Sequence, residues 1–272
     1  MSDADDGYRE CAPPPALATH VAALWTRQVP YDGRIHVHPV VPDGCMDLIW
    51  VDGALLVAGP DTGPHPAVSR PGAVYAAVRF RPGVAPAVLG VPAHALRDGR
   101  VPLEELWHGG DVRRLADAVA AAPGPRGAVR LLGVTAGTRL REATSPDPAA
   151  AAIVARLRRG VSVTALATEL GWSERQFHRR CTIAFGYGPK TLQRILRFQR
   201  AVALARAGHA FAEAAAVAGY ADQAHLAREV RALAGMPLGE LVGSAQGVAG
   251  AAGSSDGANR STPLPSGSCR TA

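Results

Sequence analysis

One pattern of residues occurs twice in this chain, at a fixed spacing of 48 positions. The first copy has Gly171-Trp172 at its centre, and the second has Gly219-Tyr220 at the matching place. In both copies a run with a small alanine precedes the glycine, and an acidic residue followed by a basic segment comes after the aromatic residue. Glycine reaches positive φ in a tight turn, and an aromatic side chain fills the angle between two crossing helices. The sequence therefore predicts two helix-turn-helix motifs, at 163–183 and 211–233.

The residues after each turn have the chemistry of a helix start. Ser173 in the first copy and Asp222 in the second are predicted to cap the new helix, and Glu174 favours its positive end. In the first motif this second helix is predicted from about Glu174 to Ile183, with Phe177 and Cys181 one turn apart and facing the core. In the second motif it runs from about Asp222 to Leu233, with its apolar side formed by Leu226, Val230 and Leu233.

The second copy resembles a known family. The run Gly219–Arg228, followed by Gly235, is similar to the second helix-turn-helix of AraC/XylS-type transcriptional regulators. The likeness covers roughly residues 146–242, although the family usually has aromatic residues near Leu226 and Val230. It implies a DNA-binding domain of two motifs joined by a long helix. More loosely, residues 42–48 and 56–60 resemble the uncharacterised N-terminal domain found on some of these regulators.

The charge of the chain is concentrated on the segment that carries the two motifs. Between residues 147 and 242 there are 13 Lys and Arg against 7 Asp and Glu, whereas the remainder has 16 of each. The formal net charge of +6 therefore lies on this segment, as a phosphate-binding surface requires. Lys190 is the only lysine among the 29 basic residues, but a GC-rich genome explains that bias as well as function does.

A chain of 272 residues is long enough for two ordinary domains. The overall prediction is an α+β protein with a β-rich N-terminal domain, resembling a barrel or sandwich with flanking helices, and an all-α C-terminal domain. The predicted boundaries are 1–12 disordered, 13–143 sensory or dimerisation domain, 144–148 linker, 149–243 DNA-binding domain and 244–272 disordered tail. The tail is rich in Gly, Ser and Ala and contains too little apolar surface to fold.

Alternating apolar residues and turn signals predict the elements of the N-terminal domain. Asp52-Gly53 predicts a hairpin between strands at Met46–Val51 and Ala54–Ala58, because a type I′ turn needs positive φ at both central residues. The other predictions are a helix within Leu17–Trp25 leading into a strand, strands at Ile35–His38 and Val74–Phe80, and helices at Pro102–Trp107, Asp111–Ala122 and 126–143. Asp147 is predicted to cap the next helix, which starts at Pro148.

The outward side chains of the two second helices are the candidate DNA contacts. Arg175, Gln176 and Arg179 are predicted to contact bases, and Arg180 to contact phosphate or form a structural ion pair. The second motif has fewer donors, so the first is expected to carry most of the direct readout, and the second to position phosphates and read shape. The full predicted set is Ser173, Glu174, Arg175, Gln176, His178, Arg179, Arg180, Lys190, Asp222, Gln223, Ala224, His225, Arg228 and Arg231.

Candidate chemistry in the N-terminal half is sparse. Trp50, Tyr75 and Cys45 are the candidate walls of an effector pocket. A thiol-based alkyl acceptor at Cys45 is the enzyme alternative, although neighbouring carboxylates disfavour a thiolate there. His36 and His38 share a strand face without a complete set of metal ligands, so no metal or other cofactor is assigned. Serine triads, P-loops and dinucleotide fingerprints are absent from the sequence.

The sequence thus predicts a DNA-binding transcription regulator, as activator or repressor, with no enzymatic activity. Double-stranded DNA is the expected partner, with a small-molecule effector, a homodimer and RNA polymerase as further candidates. A DNA-binding protein without sequence preference is the structural alternative. The four scattered cysteines, the absence of a leader and the absence of a bilayer-length apolar run indicate a cytoplasmic protein with no membrane partner.

Overall fold

The computed structural model describes residues 7–143 and 145–249, which form a strand-rich N-terminal domain and a helical C-terminal domain. Six strands form one antiparallel sheet in the order β1-β2-β7-β4-β5-β8, and β3 pairs with β6 in a separate two-stranded sheet. The strands are β1 (Tyr8–Cys11), β2 (Val21–Gln28), β3 (His36–Val40), β4 (Met46–Val51), β5 (Ala54–Ala58), β6 (His65–Ser69), β7 (Val74–Phe80) and β8 (Arg100–Pro102).

The predicted hairpin at Asp52-Gly53 is confirmed. The strands on either side, β4 and β5, have the predicted bounds. Asp52 has φ of 47° and Gly53 has φ of 91°. Both central residues are therefore in the positive-φ region that a type I′ turn requires.

The large sheet has two chemically different faces. Leu48, Val78 and Phe80 point towards a fully buried apolar core that also contains residues of three helices. These helices are α1 (Ala85–Leu89), α2 (Gly109–Ala120) and α3 (Gly124–Glu142). On the opposite face, Arg79 forms an ion pair with Asp47, and its guanidinium nitrogens donate to both carboxylate oxygens at 3.2 Å. Side chains alternate between faces along a strand, so each face of the sheet is built from every second residue.

Seven helices form the C-terminal domain: α4 (Ala149–Arg158), α5 (Val163–Glu169), α6 (Glu174–Phe185), α7 (Pro189–Arg206), α8 (Phe211–Ala218), α9 (Gln223–Ala234) and α10 (Leu238–Ala249). They surround two apolar cores. The first core joins α4, α5 and α6 to the start of α7, and the second joins the rest of α7 to α8, α9 and α10. Within the described residues no helix is both long and apolar enough to span a bilayer.

Several sequence-based boundaries of the N-terminal domain were wrong. Part of the segment predicted to be disordered, Tyr8–Cys11, is strand β1, because its main chain pairs with β2 and the Tyr8 ring packs 5.6 Å from the Trp25 ring. The segment Leu17–Trp25, predicted as a helix leading into a strand, contains only the last residue of a 3-10 turn at Pro15–Leu17, and β2 already begins at Val21. The helix predicted at Pro102–Trp107 is a 3-10 turn at Leu103–Glu105, because Pro102 ends strand β8. Strand β6 was not predicted.

The predicted tail begins inside α10, because the helix continues to Ala249. Residues 1–6 and 250–272, which include most of the predicted disorder, lie outside the described residues, as does residue 144 of the predicted linker.

The two domains meet at the end of α6 and along α7. A Cβ atom on Gly186 would lie 2.5 Å from Cγ of Pro60, and Nη1 of Arg97 donates to the Gly186 carbonyl at 3.4 Å. On α7, Nε2 of Gln199 donates to the Pro42 carbonyl at 2.5 Å. Gly186 therefore serves both as the left-handed cap of α6, with φ of 88°, and as a point of close contact between the domains.

Replacing Gly186 by alanine should destabilise the protein for two separable reasons. An L-residue at positive φ costs about 1–2 kcal/mol, and the new methyl group must also displace Pro60. Gly219→Ala is the matched control, because Gly219 has φ of 86° and an added Cβ would meet nothing within 4 Å. Thermal unfolding of the full chain should show a larger loss of stability for Gly186→Ala than for Gly219→Ala. Equal losses would show that the contact between the domains contributes nothing.

Candidate DNA-binding surface

Helix α6 begins with a capping box that the sequence only half predicted. Ser173 caps the helix, and its Oγ accepts the main-chain N–H of Gln176 at 3.3 Å. In return, Oε1 of Gln176 accepts the main-chain N–H of Ser173 at 2.9 Å. This reciprocal pair satisfies two helix-end donors. The carboxamide oxygen of Gln176 is therefore engaged in the turn, which leaves only the Nε2 donors of this exposed side chain for a base edge.

The two faces of α6 are divided as predicted. Phe177 and Cys181 are fully buried in the first core. Arg175, His178 and Arg179 are exposed. The outward face of this helix therefore carries basic side chains, and its inward face carries no charge.

The Arg180 side chain makes contacts within the DNA-binding domain. Its Nη1 lies 3.0 Å from Oδ2 of Asp147, and its guanidinium group lies 4.4 Å above the Trp172 ring. Oδ1 of Asp147 also accepts the main-chain N–H of Ala149 at 3.0 Å, but Pro148 is the N-cap and α4 begins at Ala149, one residue later than predicted. Of the two roles predicted for Arg180, the structure favours the ion pair.

A positively charged recess lies beside the start of α6. It has a volume of about 500 Å³ and is formed where the first turns of α5, α6 and α7 meet. Arg175, His178 and Lys190 are among its lining residues, and Glu174 is the acidic one. Exposed N–H groups at helix starts and cationic side chains both favour phosphate oxygens.

Helix α9, like α6, has a capping residue at its start and a buried apolar side, but its exposed residues differ from those of α6. Oδ1 of its cap, Asp222, accepts the main-chain N–H of His225 at 2.6 Å, so the predicted cap is confirmed. Leu226, Val230 and Leu233 are buried, as predicted. The exposed residues among the first nine of α9 are Gln223, Ala224, Ala227, Arg228 and Arg231.

The His225 side chain packs against another aromatic ring of the same domain. Its ring meets the Tyr220 ring edge to face, with centroids 5.2 Å apart and planes at 87°. Edge-to-face contacts of this kind hold aromatic rings in a fixed orientation. We therefore regard His225 as a residue that fixes the start of α9.

Long helix α7 holds α9 in place. Arg194 donates to both carboxylate oxygens of Glu229 on α9, at 2.7 and 3.2 Å. The Arg197 guanidinium group lies 4.4 Å above the Tyr220 ring in the turn before α9. A bidentate arginine–carboxylate pair fixes orientation as well as distance, so the second motif is tied to the same helix that completes the first core.

The N-terminal domain lies close to the outward face of α6 without covering it. A recess of about 680 Å³ is lined by His94 on one side and by Ser173, Arg179 and Ile183 on the other. His94 belongs to a 3-10 turn at Ala93–Leu96 that packs against α6 near Gly186. The first turns of α6 therefore remain open to solvent.

The predicted effector-pocket residues do not share a cavity. In the β4–β7 register Trp50 is opposite Ala76, whereas Val51 is opposite Tyr75. Trp50 and Tyr75 therefore point to opposite faces of the sheet. The Tyr75 hydroxyl donates to Oγ of Ser69 at 2.9 Å, whereas Trp50 packs against the helical core.

Cys45 lies just before β4, beside Asp43, whose Oδ1 accepts its main-chain N–H at 2.7 Å. Burial, and then the Asp43 carboxylate, raise the pKa of the Cys45 thiol well above its ordinary value. Nucleophilic cysteines need a lowered pKa, so this environment does not support the alkyl-acceptor alternative. His36 is paired with Asp32 at 3.0 Å. In the described ranges no group of three or more His, Cys, Asp or Glu residues is arranged to hold a metal ion.

Sequence reasoning missed a groove between the sheet edge and α3. It has a volume of about 1440 Å³, and β1, β2 and the proline-rich segment between them form one wall. Gly133 and Gly137 on α3 lie against Leu17 and form part of the other wall. The four-residue spacing of these glycines was the available signal, because it leaves one side of a helix without side chains.

Comparisons with known proteins agree with this division into domains. Residues 166–243 match a family described as a helix-turn-helix domain, and residues 9–102 match a domain of unknown function (DUF6597). No curated protein matches the chain significantly.

Two similar solved structures are forms of ToxT from Vibrio cholerae. An apo variant from strain SCE256 has a TM-score of 0.46 and 10% identity, covering 82% of this chain and 97% of that one. ToxT from strain O395 has a TM-score of 0.45 and 8% identity, covering 88% of this chain and 98% of that one. The helix-turn-helix match, together with the two capped motifs, identifies the C-terminal domain as AraC-type and the chain that carries it as a DNA-binding transcription regulator.

Proposed function

We propose that one chain reads a specific duplex with both of its motifs, in successive segments of the major groove. The observation that carries the proposal is the attachment of both recognition helices, α6 and α9, to one helix. Helix α7 has 18 residues, which at about 1.5 Å each span on the order of 27 Å. That length suits two helices that enter grooves roughly 34 Å apart, one turn of the duplex.

The exposed cations around each motif divide into two roles. Arg175 and Arg179 lie in the first half of α6, where side chains of a recognition helix reach base edges, and arginine is the common partner of guanine. Lys190 lies in the first turn of α7, and Arg228 and Arg231 lie further along α9. The proposal assigns these three side chains to phosphate contacts. Gln223 and Ala224 begin α9 and complete the proposed surface.

The mutants Arg175→Ala and Arg231→Ala should fail in different ways. Loss of Arg175 should relax the preference at one base pair, at a cost of about 1–3 kcal/mol on the preferred site. Loss of Arg231 should weaken binding to all sequences alike and reduce the salt slope by about 1. Binding-site selection from random duplexes, followed by fluorescence anisotropy at several salt concentrations, measures both effects.

Arg113→Ala is a charge-matched control for these two variants. Arg113 is exposed on α2 in the N-terminal domain, so its loss changes net charge without touching either motif. Equal, sequence-independent losses from Arg175→Ala and Arg231→Ala would contradict the division of roles. If wild-type binding depends steeply on salt concentration but shows no preference for any DNA sequence, the result would instead support a DNA-binding protein without sequence preference.

We further propose that the groove between β1, β2 and α3 binds a small-molecule effector. Its floor includes Leu17, Leu24 and Val129, and a Cβ on Gly137 would lie 3.0 Å from Leu17. Four arginines line the groove, Arg9, Arg126, Arg130 and Arg141, and the carboxylate of its one acidic lining residue, Glu10, is paired with Arg79. An apolar floor with a cationic rim suits an apolar molecule that carries one anionic group.

Two dyes that differ in charge test this groove on the full chain. The anionic anilinonaphthalene sulfonate and the neutral N-phenylnaphthylamine should both bind wild type. Gly137→Leu should abolish binding of both dyes by filling the groove, and the double variant Arg126→Glu/Arg130→Glu should weaken the anionic dye alone. Fluorescence titration measures the two affinities, and a thermal unfolding curve checks that each variant is folded.

The exposed apolar face of the β3–β6 hairpin supplies the control for these titrations. Val37 and Val68, which are paired across the two strands, are 64% and 62% exposed and offer the dyes another surface. Val37→Asp should leave both affinities unchanged. Loss of dye binding in Val37→Asp but not in Gly137→Leu would place the site on the hairpin and overturn the proposal. RNA polymerase and a second copy of the chain stay predictions from the sequence.

A further inference from the structure

The start of α9 presents a surface with an unusual composition for a DNA-reading helix. Gln223, Ala224 and Ala227 are its exposed residues in the first five positions. Residues three and four apart lie on one side of a helix, so Ala224 and Ala227 are neighbours, and Arg228 and Arg231 continue the same side. In a helix that enters the DNA major groove with its first turns, these positions of α9 therefore present two methyl groups and one carboxamide to the bases.

The polar neighbours at this end of α9 are engaged elsewhere. Asp222 accepts the N–H of His225, the His225 ring packs on Tyr220, and Glu229 is paired with Arg194. None of these side chains is available for a base edge without breaking a contact that fixes the helix. The chemistry left for readout is that of Gln223, Ala224 and Ala227.

These three side chains match one kind of base pair. Thymine is the only base with an apolar group, its C5 methyl, on the major-groove edge, and small apolar side chains contact it. Glutamine pairs with N6 and N7 of adenine through two hydrogen bonds. Adenine and thymine occur in the same base pair, so the alanines and the glutamine specify the same class of sequence.

Helix α6 has the opposite chemistry at the equivalent place. Arg175 and Arg179 are exposed, and within the described parts of the chain neither forms an ion pair or hydrogen bond. Arginine reads O6 and N7 of guanine. The two motifs of one chain therefore differ in the base that each one suits.

We infer that α9 reads A·T pairs through thymine methyl groups, using Ala224 and Ala227 beside Gln223, whereas α6 reads guanine. The target of one chain is then an asymmetric site with a G-containing segment under α6 and an A·T segment about one turn away under α9. This inference rests on the proposed function, because it needs both motifs to meet the same duplex. The few hydrogen-bond donors of the second motif suggest that it only positions phosphates and reads DNA shape. The inference adds direct contacts to bases.

Base analogues test the inference on a duplex selected by the full-length chain. Deoxyuridine in place of thymidine removes the C5 methyl group and leaves the hydrogen-bonding groups of the base unchanged. Each methyl removed under α9 should weaken binding about fourfold, the transfer free energy of one buried methylene-sized group. The same replacement under α6 should have no effect, whereas 7-deazaguanine there should weaken binding roughly fivefold or more.

Protein variants show which side chains detect the methyl groups. Ala224→Gly and Ala227→Gly should each reduce the preference for thymidine over deoxyuridine, because one of the two protein methyl groups that make the contact is gone. Ala232→Gly is the matched control for helix propensity, since Ala232 is exposed in the last turn of the same helix. It should keep the full difference between the two duplexes.

The possible outcomes separate this inference from the function on which it rests. If the chain selects no sequence at all, the proposed specific binding fails and the inference fails with it. If it selects a sequence but deoxyuridine has no effect under α9, specific binding stands and the methyl readout is overturned. An unchanged deoxyuridine effect in both Ala224→Gly and Ala227→Gly would also overturn the assignment to these residues.

Discussion

The burial of one helix in two separate cores is the constraint on which the DNA-binding domain depends. Leu192, Ile195 and Leu196 complete the core of the first motif, and Phe198 and Val202 complete that of the second. A helix that is buried at both ends cannot rotate about its axis without opening one of the cores, because protein interiors are packed too densely to absorb the change. The two recognition helices therefore keep a fixed position relative to each other.

Local chemistry explains which elements the sequence predicted. The capped starts of α6 and α9 and the hairpin at Asp52-Gly53 depend on residues within a few positions of each other, so they were found with nearly correct bounds. Strands β1 and β6 depend on main-chain pairing with distant segments, and β6 also contains Pro66, which argues against a strand. The groove beside α3 was not predictable from spacing alone, because its two walls come from segments 95 or more positions apart.

In the same way, the sequence did not predict contacts of single side chains in the site that depend on tertiary packing. Helical periodicity correctly separated the buried Phe177 from the exposed Arg175. It did not reveal that Arg180 pairs with Asp147, 33 positions away, because tertiary packing brings these residues together. Trp50 and Tyr75 were grouped by type as candidate walls, but a difference of one residue in register sends them to opposite faces of the sheet.

The N-terminal domain provides a packed connection from the proposed effector groove to the DNA-binding surface. Val129, which lines the groove, belongs to the same apolar core as Ala93 and Leu96 of the 3-10 turn that adjoins Gly186. Densely packed cores transmit displacement, so a ligand that moves α3 away from Leu17 changes the support beneath the end of α6. If the groove binds an effector as proposed, such a change would reach the end of α6, whereas the capping box holds its start. The AraC-type domain would then be regulated through the geometry of its first motif, with α9 still held to α7 by the Arg194–Glu229 pair.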